Sequence, residues 1–305
     1  MIKREARSAL EEVLGDHVRF GVSMAKHTSL RVGGRADAIA SPASPAELAG
    51  ALRVCHSHGL RHTVLGKGFN TLVRDEGIDG LVLLLGGLRE LEERPGLLLR
   101  AGAGVSHSQI TRFCVERGFA GLEFAAGIPG TVGGWVAMNA GIGSREAKDV
   151  VREIEVVSPT GRRRRHLRRA SLHFRYRALR GLAPGSVVVS ALFAVGLADR
   201  EAVRAEVALK LAARARTQPL NIPSCGSVFK NPTGDFAGRL IEAAGLKGLQ
   251  VGGAQISPVH ANFIANTGGA SAADVLALIE QARDRVERES GVRLETEVKI
   301  LGRAA

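Results

Sequence analysis

Residues 125–143 read AAGIPGTVGGWVAMNAGIG, and this stretch decides how the fold is interpreted. It carries no charged side chain, is rich in glycine, and is too short and too interrupted to span a bilayer. Glycine permits positive φ and leaves no Cβ between the backbone and a ligand. Successive N–H groups in such a turn form a partly positive concave surface that suits phosphate oxygens. The stretch is therefore either a tight connection or a phosphate-binding turn.

A second glycine turn lies earlier in the chain. Residues Gly66–Asn70 read GKGFN and follow an apolar, strand-like segment. In the later turn, Pro129 fixes one φ between Gly127 and Gly130. For either turn alone, a connection between buried strands is the simpler interpretation. The two together favour a ligand with two phosphates, such as a dinucleotide, over a triphosphate.

Polar side chains near both turns support a ligand. Asn70, Thr131 and Asn139 lie near these turns and carry side-chain hydrogen-bonding groups. A P-loop would need GxxxxGK[ST], which is absent. Residues 102–107, GAGVSH, resemble the start of a Rossmann fingerprint, but His107 stands where the third glycine belongs. These motifs alone therefore leave the ligand's identity open.

The composition is that of a basic globular protein. The chain has 305 residues, 45% of them hydrophobic, and a formal net charge of +12, which allows one large core or two smaller ones. The run GRRRRHLRR at Gly161–Arg169 follows a Pro159–Gly161 turn, which predicts the return strand of a hairpin with a solvated basic face. A nucleic-acid-binding face is the alternative, but no binding motif accompanies the charge, so we expect no nucleic-acid partner.

Cysteine content and hydropathy indicate the compartment. Cys55, Cys114 and Cys225 form no CxxC pair and are odd in number, which favours a reducing cytosol over a disulfide framework. The N-terminal segment is a charged amphipathic helix, and no apolar run approaches the ~20 residues of a membrane span. We expect a cytoplasmic protein without membrane insertion and without a bound metal.

Strands alternate with helices over the first 200 residues, which predicts an α+β or α/β domain. A strand is expected at Ala36–Ala40, a helix from Ser44 to Gly59, and a helix from Ser106 to Gly118. Further strands are expected in GLVLLLGGL, GLLLRAGAGV and SVVVSALFAV.

The composition shifts near residue 201. A long helix is expected up to Pro219, followed by a helix over Phe236–Ala244 and another opened by the capping pair Ser271 and Asp274 and closed by Gly291. RLETEVKIL is expected to form a closing strand. A second domain is therefore placed at residues 201–305.

The motifs together resemble a known family. TSLRVGGRADA, LGKGFNTLV, GIPGTVGGWVAMNAG, FRYR, CGSVFKNP, AGRLIEAAGLKG, HANFIAN and LETEV occur in this order along nearly the whole chain. They resemble the UDP-N-acetylenolpyruvoylglucosamine reductases, flavoenzymes of peptidoglycan precursor synthesis. The resemblance implies an α+β fold, with a vanillyl-alcohol-oxidase-type (PCMH-type) FAD-binding domain of two subdomains at residues 1–200. It also implies a substrate-binding domain at residues 201–305.

The same resemblance implies the activity and the site. NADPH would reduce FAD, and the flavin would then reduce a UDP-N-acetylglucosamine enolpyruvyl ether. Arg177 would polarise the substrate carboxylate, Ser227 would supply the proton, and Glu297 would orient the arginine or transfer a proton. Lys230 and Asn231 would contact the anionic groups of the substrate, with His260 and Asn262 as weaker candidates. The FAD contacts would be Gly66, Lys67, Gly68, Phe69, Asn70, Thr71, Gly127, Ile128, Pro129, Gly130, Thr131, Gly134 and Asn139.

Each implied catalytic residue also has a simpler explanation. Arg177 is one of many arginines, Ser227 follows Gly226 in a turn, and Glu297 lies on one face of an alternating strand. On the residues alone these explanations would be preferred. The sequence leaves the oligomeric state open, with a monomer as the expectation.

The chain departs from the family pattern at a few positions. Its single tyrosine, Tyr176, lies outside the last domain, so the chain resembles the shorter subtype that lacks a tyrosine-bearing loop. Phe69 stands where the family usually has serine, and Leu179 where serine is frequent. The remaining alternatives are another FAD-dependent sugar or alcohol oxidase of this fold class, or a non-catalytic protein that binds nucleotides or nucleic acid.

Overall fold

The computed structural model describes residues 2–304. The chain divides into two compact units, and neither is one continuous stretch. The first unit contains the chain up to Phe20, Ala38–Lys67 and Gly80–Ala213. The second contains Gly21–Asp37, Gly68–Asp79 and the chain from Arg214 onward. The assignment of residues 1–200 to FAD and 201–305 to substrate stays a prediction.

Eight α-helices occur in residues 2–304. They are α1 (Arg4–Leu14), α2 (Pro45–Ser57), α3 (His107–Arg117), α4 (Val132–Ala137), α5 (Ala147–Val150), α6 (Arg200–Thr217), α7 (Ala237–Ala243) and α8 (Ala272–Ser290). Within the same range, no helix combines the length and the apolar character that crossing a bilayer requires.

The strands are short and are distributed over both units. They are β1 (Val18–Ser23), β2 (Arg35–Ala40), β3 (His62–Leu65), β4 (Thr71–Val73), β5 (Ile78–Leu84), β6 (Leu91–Arg94), β7 (Leu98–Gly102), β8 (Phe119–Ala120), β9 (Gly141–Ile142), β10 (Arg145–Glu146), β11 (Val151–Val157), β12 (Arg164–Arg168), β13 (His173–Arg175), β14 (Ala178–Arg180), β15 (Val187–Ala194), β16 (Gly196–Leu197), β17 (Ser224–Ser227), β18 (Gln250–Val251), β19 (Ala254–Ile256), β20 (Phe263–Asn266) and β21 (Lys299–Leu301).

The first unit is organised around a five-stranded antiparallel sheet of order β12-β11-β15-β7-β6. One core of this unit contains Trp135, which stacks on Phe193 at a ring-centroid distance of 5.0 Å and meets Phe124 edge-on at 5.5 Å. A second core contains residues of α1, α2 and β5. The four-stranded sheet has the order β1-β2-β5-β3, in which β3 and β5 are parallel.

The second unit has its own core and sheet. Its antiparallel strands have the order β17-β20-β19-β18, while β21 pairs in parallel with β4. The core combines residues from distant parts of the sequence, including Leu30, Leu72, Phe229 and Leu278. Burial of these side chains is what holds the three separate stretches of the unit together.

Helix ends follow the capping signals in the sequence. The Ser44 hydroxyl accepts a hydrogen bond from the Glu47 N–H, with Pro45 as the first helical residue of α2. Capping boxes open α3 at Ser106 and α8 at Ser271, and left-handed glycines close both helices. The predicted helices and the basic hairpin strand, which pairs with β11 as β12, are confirmed.

The predicted closing strand is wrong in its extent. Only Lys299–Leu301 form a strand, and Thr296 makes an isolated bridge with Phe229. The reason is that the N–H groups of Glu297 and Val298 both donate to the Val228 carbonyl, at 2.8 and 3.2 Å. Two successive donors on one acceptor break the alternation that a regular ladder requires.

Two glycines of the second unit have nearly the same positive φ but different surroundings. Substitutions at these positions distinguish the cost of backbone strain from the cost of a steric clash. Gly77 has φ +81 and an added Cβ would lie 1.9 Å from the Arg35 carbonyl oxygen, whereas Gly234 has φ +80 and open space around it. We expect Gly234→Ala to lower the free energy of unfolding by about 1–2 kcal/mol. Gly77→Ala should lower the free energy of unfolding by about 1–3 kcal/mol more, because the added Cβ would overpack against the Arg35 carbonyl. Urea unfolding followed by circular dichroism measures both, and equal losses would contradict the steric account.

Candidate active site

The two glycine turns approach each other within the first unit. A Cβ added to Gly66 would lie 2.7 Å from the Thr131 Oγ1 atom, so a side chain at position 66 would require one of the segments to move. Thr131 is buried and bridges to Ser106, which fixes its position. The structure therefore brings Gly66 and Thr131 together, and glycine at position 66 is needed for their close approach.

The later turn presents backbone donors that the protein does not use. In residues 2–304, the N–H groups of Gly130, Thr131 and Gly134 have no acceptor within the protein. Gly130 has φ +124, and the space beside the Cα atoms of Gly130 and Gly134 is open. Backbone donors without an acceptor form a partly positive surface, which suits an anionic group.

His107 is hydrogen-bonded to this turn, a contact that was not predicted from the sequence. Its Nδ1 lies 2.6 Å from the Ile128 carbonyl oxygen, and because a carbonyl only accepts, Nδ1 carries the proton. The His107 ring is buried and meets the Trp135 ring edge-on at 5.0 Å. The sequence signal was present, since His107 occupies a position where a dinucleotide fingerprint has glycine.

Asn139 is fully buried and its side chain is engaged by the protein. Its Nδ2 donates to Glu146 Oε2 and to the Arg175 carbonyl, both at 3.0 Å, and its Oδ1 accepts from the Lys148 N–H at 3.0 Å. Asn139 therefore ties the end of the glycine segment to the strand that precedes Arg177. A cofactor contact by Asn139 stays a prediction, and its observed contacts are structural.

Arg177 lies in the tight turn between β13 and β14. Arg175 pairs with Ala178, so Tyr176 and Arg177 form the two-residue connection. Arg177 has φ +55, a conformation that costs a side-chain-bearing residue about 1–2 kcal/mol. Its guanidinium carbon lies 4.8 Å from the centre of the Tyr176 ring. A strained arginine that stacks on the only tyrosine is held in a defined orientation.

The second unit brings three of the predicted site residues close in the fold. Asn70 Nδ2 donates to the Glu297 carbonyl at 3.1 Å, and the Glu297 N–H donates to the carbonyl of Val228, the residue after Ser227. Ser227 ends β17 and follows Gly226, which has φ +74. The Glu297 backbone therefore links the Asn70 side chain to the backbone of Val228, next to Ser227.

Cys225 does not supply a nucleophile beside Ser227. The residue is completely buried, and burial raises the pKa of its thiol to about 12. The thiol is therefore protonated at neutral pH, whereas nucleophilic attack requires the thiolate. Its role is packing within the core of the second unit.

Lys230 and Asn231 follow the serine and differ in how they are engaged. Lys230 Nζ lies 3.0 Å from Glu295 Oε2 at the surface, so its ammonium group remains accessible. Asn231 Oδ1 accepts from the Ala237 N–H at 3.1 Å and thereby caps the start of α7. The observed role of Asn231 is structural, and substrate contact by either residue stays a prediction.

Asn262 and His260 support the serine segment. Asn262 is buried and forms two hydrogen bonds with the backbone of Phe229. Its Oδ1 accepts from the Phe229 N–H at 2.9 Å, and its Nδ2 donates to the Phe229 carbonyl at 2.8 Å. Burial lowers the pKa of His260, and its Nδ1 accepts from the Asn262 N–H at 3.2 Å. His260 is thus a neutral structural group in this unit.

Family models match both parts of the chain. Residues 36–166 match the FAD binding domain, and residues 218–301 match the UDP-N-acetylenolpyruvoylglucosamine reductase C-terminal domain. The enzyme named UDP-N-acetylenolpyruvoylglucosamine reductase from Heliobacterium modesticaldum is 46% identical over 283 residues, covering 92% of this chain and 89% of its own. The chain belongs to the UDP-N-acetylenolpyruvoylglucosamine reductase family.

Further relatives of this reductase family agree. The reductase of Alkalilimnicola ehrlichii is 47% identical over 289 residues, covering 94% of this chain and 95% of its own. The crystal structure of the Thermus caldophilus reductase superposes with a TM-score of 0.79 at 35% identity, covering 92% of this chain and 98% of the other.

A more distant match concerns the fold alone. A berberine bridge enzyme superposes with a TM-score of 0.50 at 14% identity over 65% of this chain and 44% of the other. The resemblance and the fold class expected from the sequence are thereby confirmed.

The His107 contact can be tested with a ring-conserving change. We expect His107→Phe to lower the free energy of unfolding by about 1–3 kcal/mol, because the half-buried Ile128 carbonyl loses the donor that the buried His107 supplies. The emission of Trp135, the only tryptophan, should shift in the same variant because the two rings touch.

The matched control is His62→Phe. His62 also lies 2.8 Å from a carbonyl oxygen, that of Gly185, but at an exposed site. There we expect a loss within about 0.5 kcal/mol and no change in emission. Equal losses in the two variants would show that burial of the Ile128 contact is unimportant.

Proposed function

We propose that the chain catalyses the NADPH-dependent reduction, through FAD, of UDP-N-acetylglucosamine enolpyruvate to UDP-N-acetylmuramate in peptidoglycan precursor synthesis. The observation that carries the proposal is the close approach of Gly66 to Thr131 beside three unused backbone donors. Membership of the reductase family supports the substrate class. A cytoplasmic location and a monomeric state complete the proposal.

The residues of the two turns fit a flavin dinucleotide. The later turn is uncharged, has N–H groups without an acceptor in residues 2–304, and contains Gly130, where a side chain is disfavoured by φ +124. When bound, FAD accepts hydride from NADPH and donates it to the substrate. The proposed contacts are Gly66, Lys67, Gly68, Phe69, Asn70, Thr71, Gly127, Ile128, Pro129, Gly130, Thr131, Gly134 and Asn139.

Arg177 is proposed to bind the substrate carboxylate. An enolpyruvyl double bond accepts hydride poorly unless the negative charge that develops beside its carboxylate is stabilised. A guanidinium remains charged at neutral pH and can donate two parallel hydrogen bonds to one carboxylate. The strained turn and the stacking on Tyr176 orient the group in advance, which lowers the cost of ordering it in the transition state.

Ser227 is proposed to deliver the proton. Hydride adds to one carbon of the double bond, and the Ser227 hydroxyl donates its proton to the neighbouring carbon, which completes the reduction. Its position at the end of β17 follows from the left-handed Gly226. Glu297 is proposed to orient Arg177 or to serve in proton transfer, and Lys230 and Asn231 to contact the substrate's anionic groups.

The purified chain provides the first test of this proposal. The protein should take up FAD and show the yellow flavin spectrum, and NADPH should bleach it. Addition of the enolpyruvyl sugar nucleotide without air should restore the colour in a single turnover. Rapid return of the flavin absorbance in air without that substrate would indicate an oxidase of the same fold. Failure of the protein to take up FAD would contradict the proposal.

We expect Ser227→Ala to separate the two half-reactions. Flavin reduction by NADPH should continue at the wild-type rate, while reoxidation by the enolpyruvyl substrate should fall by about 10²-fold or more, as for a lost general acid. Stopped-flow absorbance measures each step. Ser224→Ala, in the same strand, is the control and should leave both steps unchanged. Equal slowing of both steps by Ser227→Ala would remove the serine from proton transfer.

We expect the Arg177→Lys variant to have severely impaired turnover although the charge is kept. The reason is that a lysine cannot donate two parallel hydrogen bonds to one carboxylate. The loss in kcat/KM for the enolpyruvyl substrate should be about 10-fold or more. Arg175→Lys, on the adjacent strand and exposed, should retain near-normal turnover. Near-normal turnover of Arg177→Lys would move carboxylate binding to another residue.

A further inference from the structure

The first unit contains a surface groove that includes none of the proposed catalytic or cofactor-binding residues. Its volume is about 450 Å³, within the range of small-molecule sites. The walls come from α1, α2 and the turn that connects β11 to β12. Val13 and Val54 contribute apolar surface, and Ser57 and Thr160 contribute hydroxyl groups.

Two arginines meet in this groove because the β11–β12 turn packs tightly on α2. A Cβ added to Gly161, which has φ +68, would lie 2.1 Å from the Ala49 carbonyl oxygen. Arg53 Nη1 donates to the Gly161 carbonyl at 3.1 Å, which holds Arg53 against the turn. Arg162 directly follows Gly161 and lines the same groove. The Arg53 guanidinium is therefore fixed on the turn, and Arg162 adds a second, exposed guanidinium to the same groove.

The charge in the groove is not balanced by the protein. None of its lining residues is acidic, and His56 adds a third nitrogen-bearing side chain. Within residues 2–304, neither Arg53 nor Arg162 forms an ion pair with a carboxylate. The neighbouring strand differs, since Arg164 is bonded to the buried Glu155 and His166 Nδ1 lies 2.8 Å from Glu153 Oε1. Arg164 and His166 on the strand therefore have acidic partners, whereas the two arginines of the groove have none in the described residues.

We propose that this groove is a phosphate-binding site for a phosphate monoester or diester. A guanidinium group can donate two parallel hydrogen bonds to phosphate oxygens, and the two guanidinium groups of the groove supply both positive charge and hydrogen-bond donors. The apolar surface of Val13 and Val54 accommodates the organic part of such a ligand. The site is separate from the glycine turns and does not depend on the proposed reduction.

The test compares two charge-matched double variants of the FAD-loaded protein. Arg53→Gln with Arg162→Gln removes two positive charges from the groove, and Arg165→Gln with Arg168→Gln removes two from the adjacent strand. Inorganic phosphate and pyrophosphate are the probes, measured by titration calorimetry at constant ionic strength. We expect saturable binding that weakens by about 10-fold or more in the groove variant and by less than about twofold in the strand variant.

Vesicles distinguish the two sources of such a phosphate. Phosphatidic acid in phosphatidylcholine vesicles presents a lipid phosphate, and pure phosphatidylcholine vesicles are the control. Groove-dependent binding to the phosphatidic acid vesicles assigns the site to a lipid headgroup, and groove-dependent binding of free phosphate alone assigns it to a soluble metabolite.

Reductase turnover of both double variants should equal that of the wild type. Equal weakening of phosphate binding in the two double variants would overturn the proposal, since a diffuse positive field would then suffice. Absence of saturable binding to the wild-type protein, from both solution and vesicles, would overturn it as well.

Discussion

The structure depends on one steric constraint, the absence of a side chain at Gly66. Because Thr131 Oγ1 occupies the volume that a Cβ at position 66 would need, a side chain there would displace Thr131, a buried residue of the later turn. The later turn is fixed by the bridge between Thr131 and Ser106 and by the His107 contact with Ile128. These contacts fix the turn while its N–H groups at Gly130, Thr131 and Gly134 have no acceptor in residues 2–304. Packing would therefore preorganise the turn for the proposed anionic ligand.

Each unit uses a buried asparagine to hold a functional segment. Asn139 bonds the strand that leads to Arg177, and Asn262 bonds both sides of the peptide at Phe229, two residues after Ser227. An amide with both its donor and its acceptor engaged is costly to bury unless every partner is in place. Such residues fix the positions of the segments that carry Arg177 and Ser227, the residues proposed for catalysis.

Local sequence signals predicted local structure well. The caps of α2, α3 and α8 and the basic hairpin follow from side chains within a few residues of each other, so they are visible in the sequence. The closing strand failed because its ladder is interrupted at Val228, far away in the sequence. The engagement of Asn139 and Asn231 and the contact of His107 also depend on distant partners. The composition of the two units from separated stretches could not be predicted for the same reason.

The pairing of β21 with β4 has a consequence for biosynthesis. Lys299–Leu301 lie beside Thr71–Val73, so more than two hundred residues separate the two strands along the chain. The second unit therefore cannot complete this ladder until residues 299–301 have left the ribosome, whereas every strand of the five-stranded sheet in the first unit has emerged by Ala194. Nascent Leu72, a core residue of the second unit, must remain without its partner strand during most of translation. This interval is when the nascent polypeptide is most exposed to chaperones.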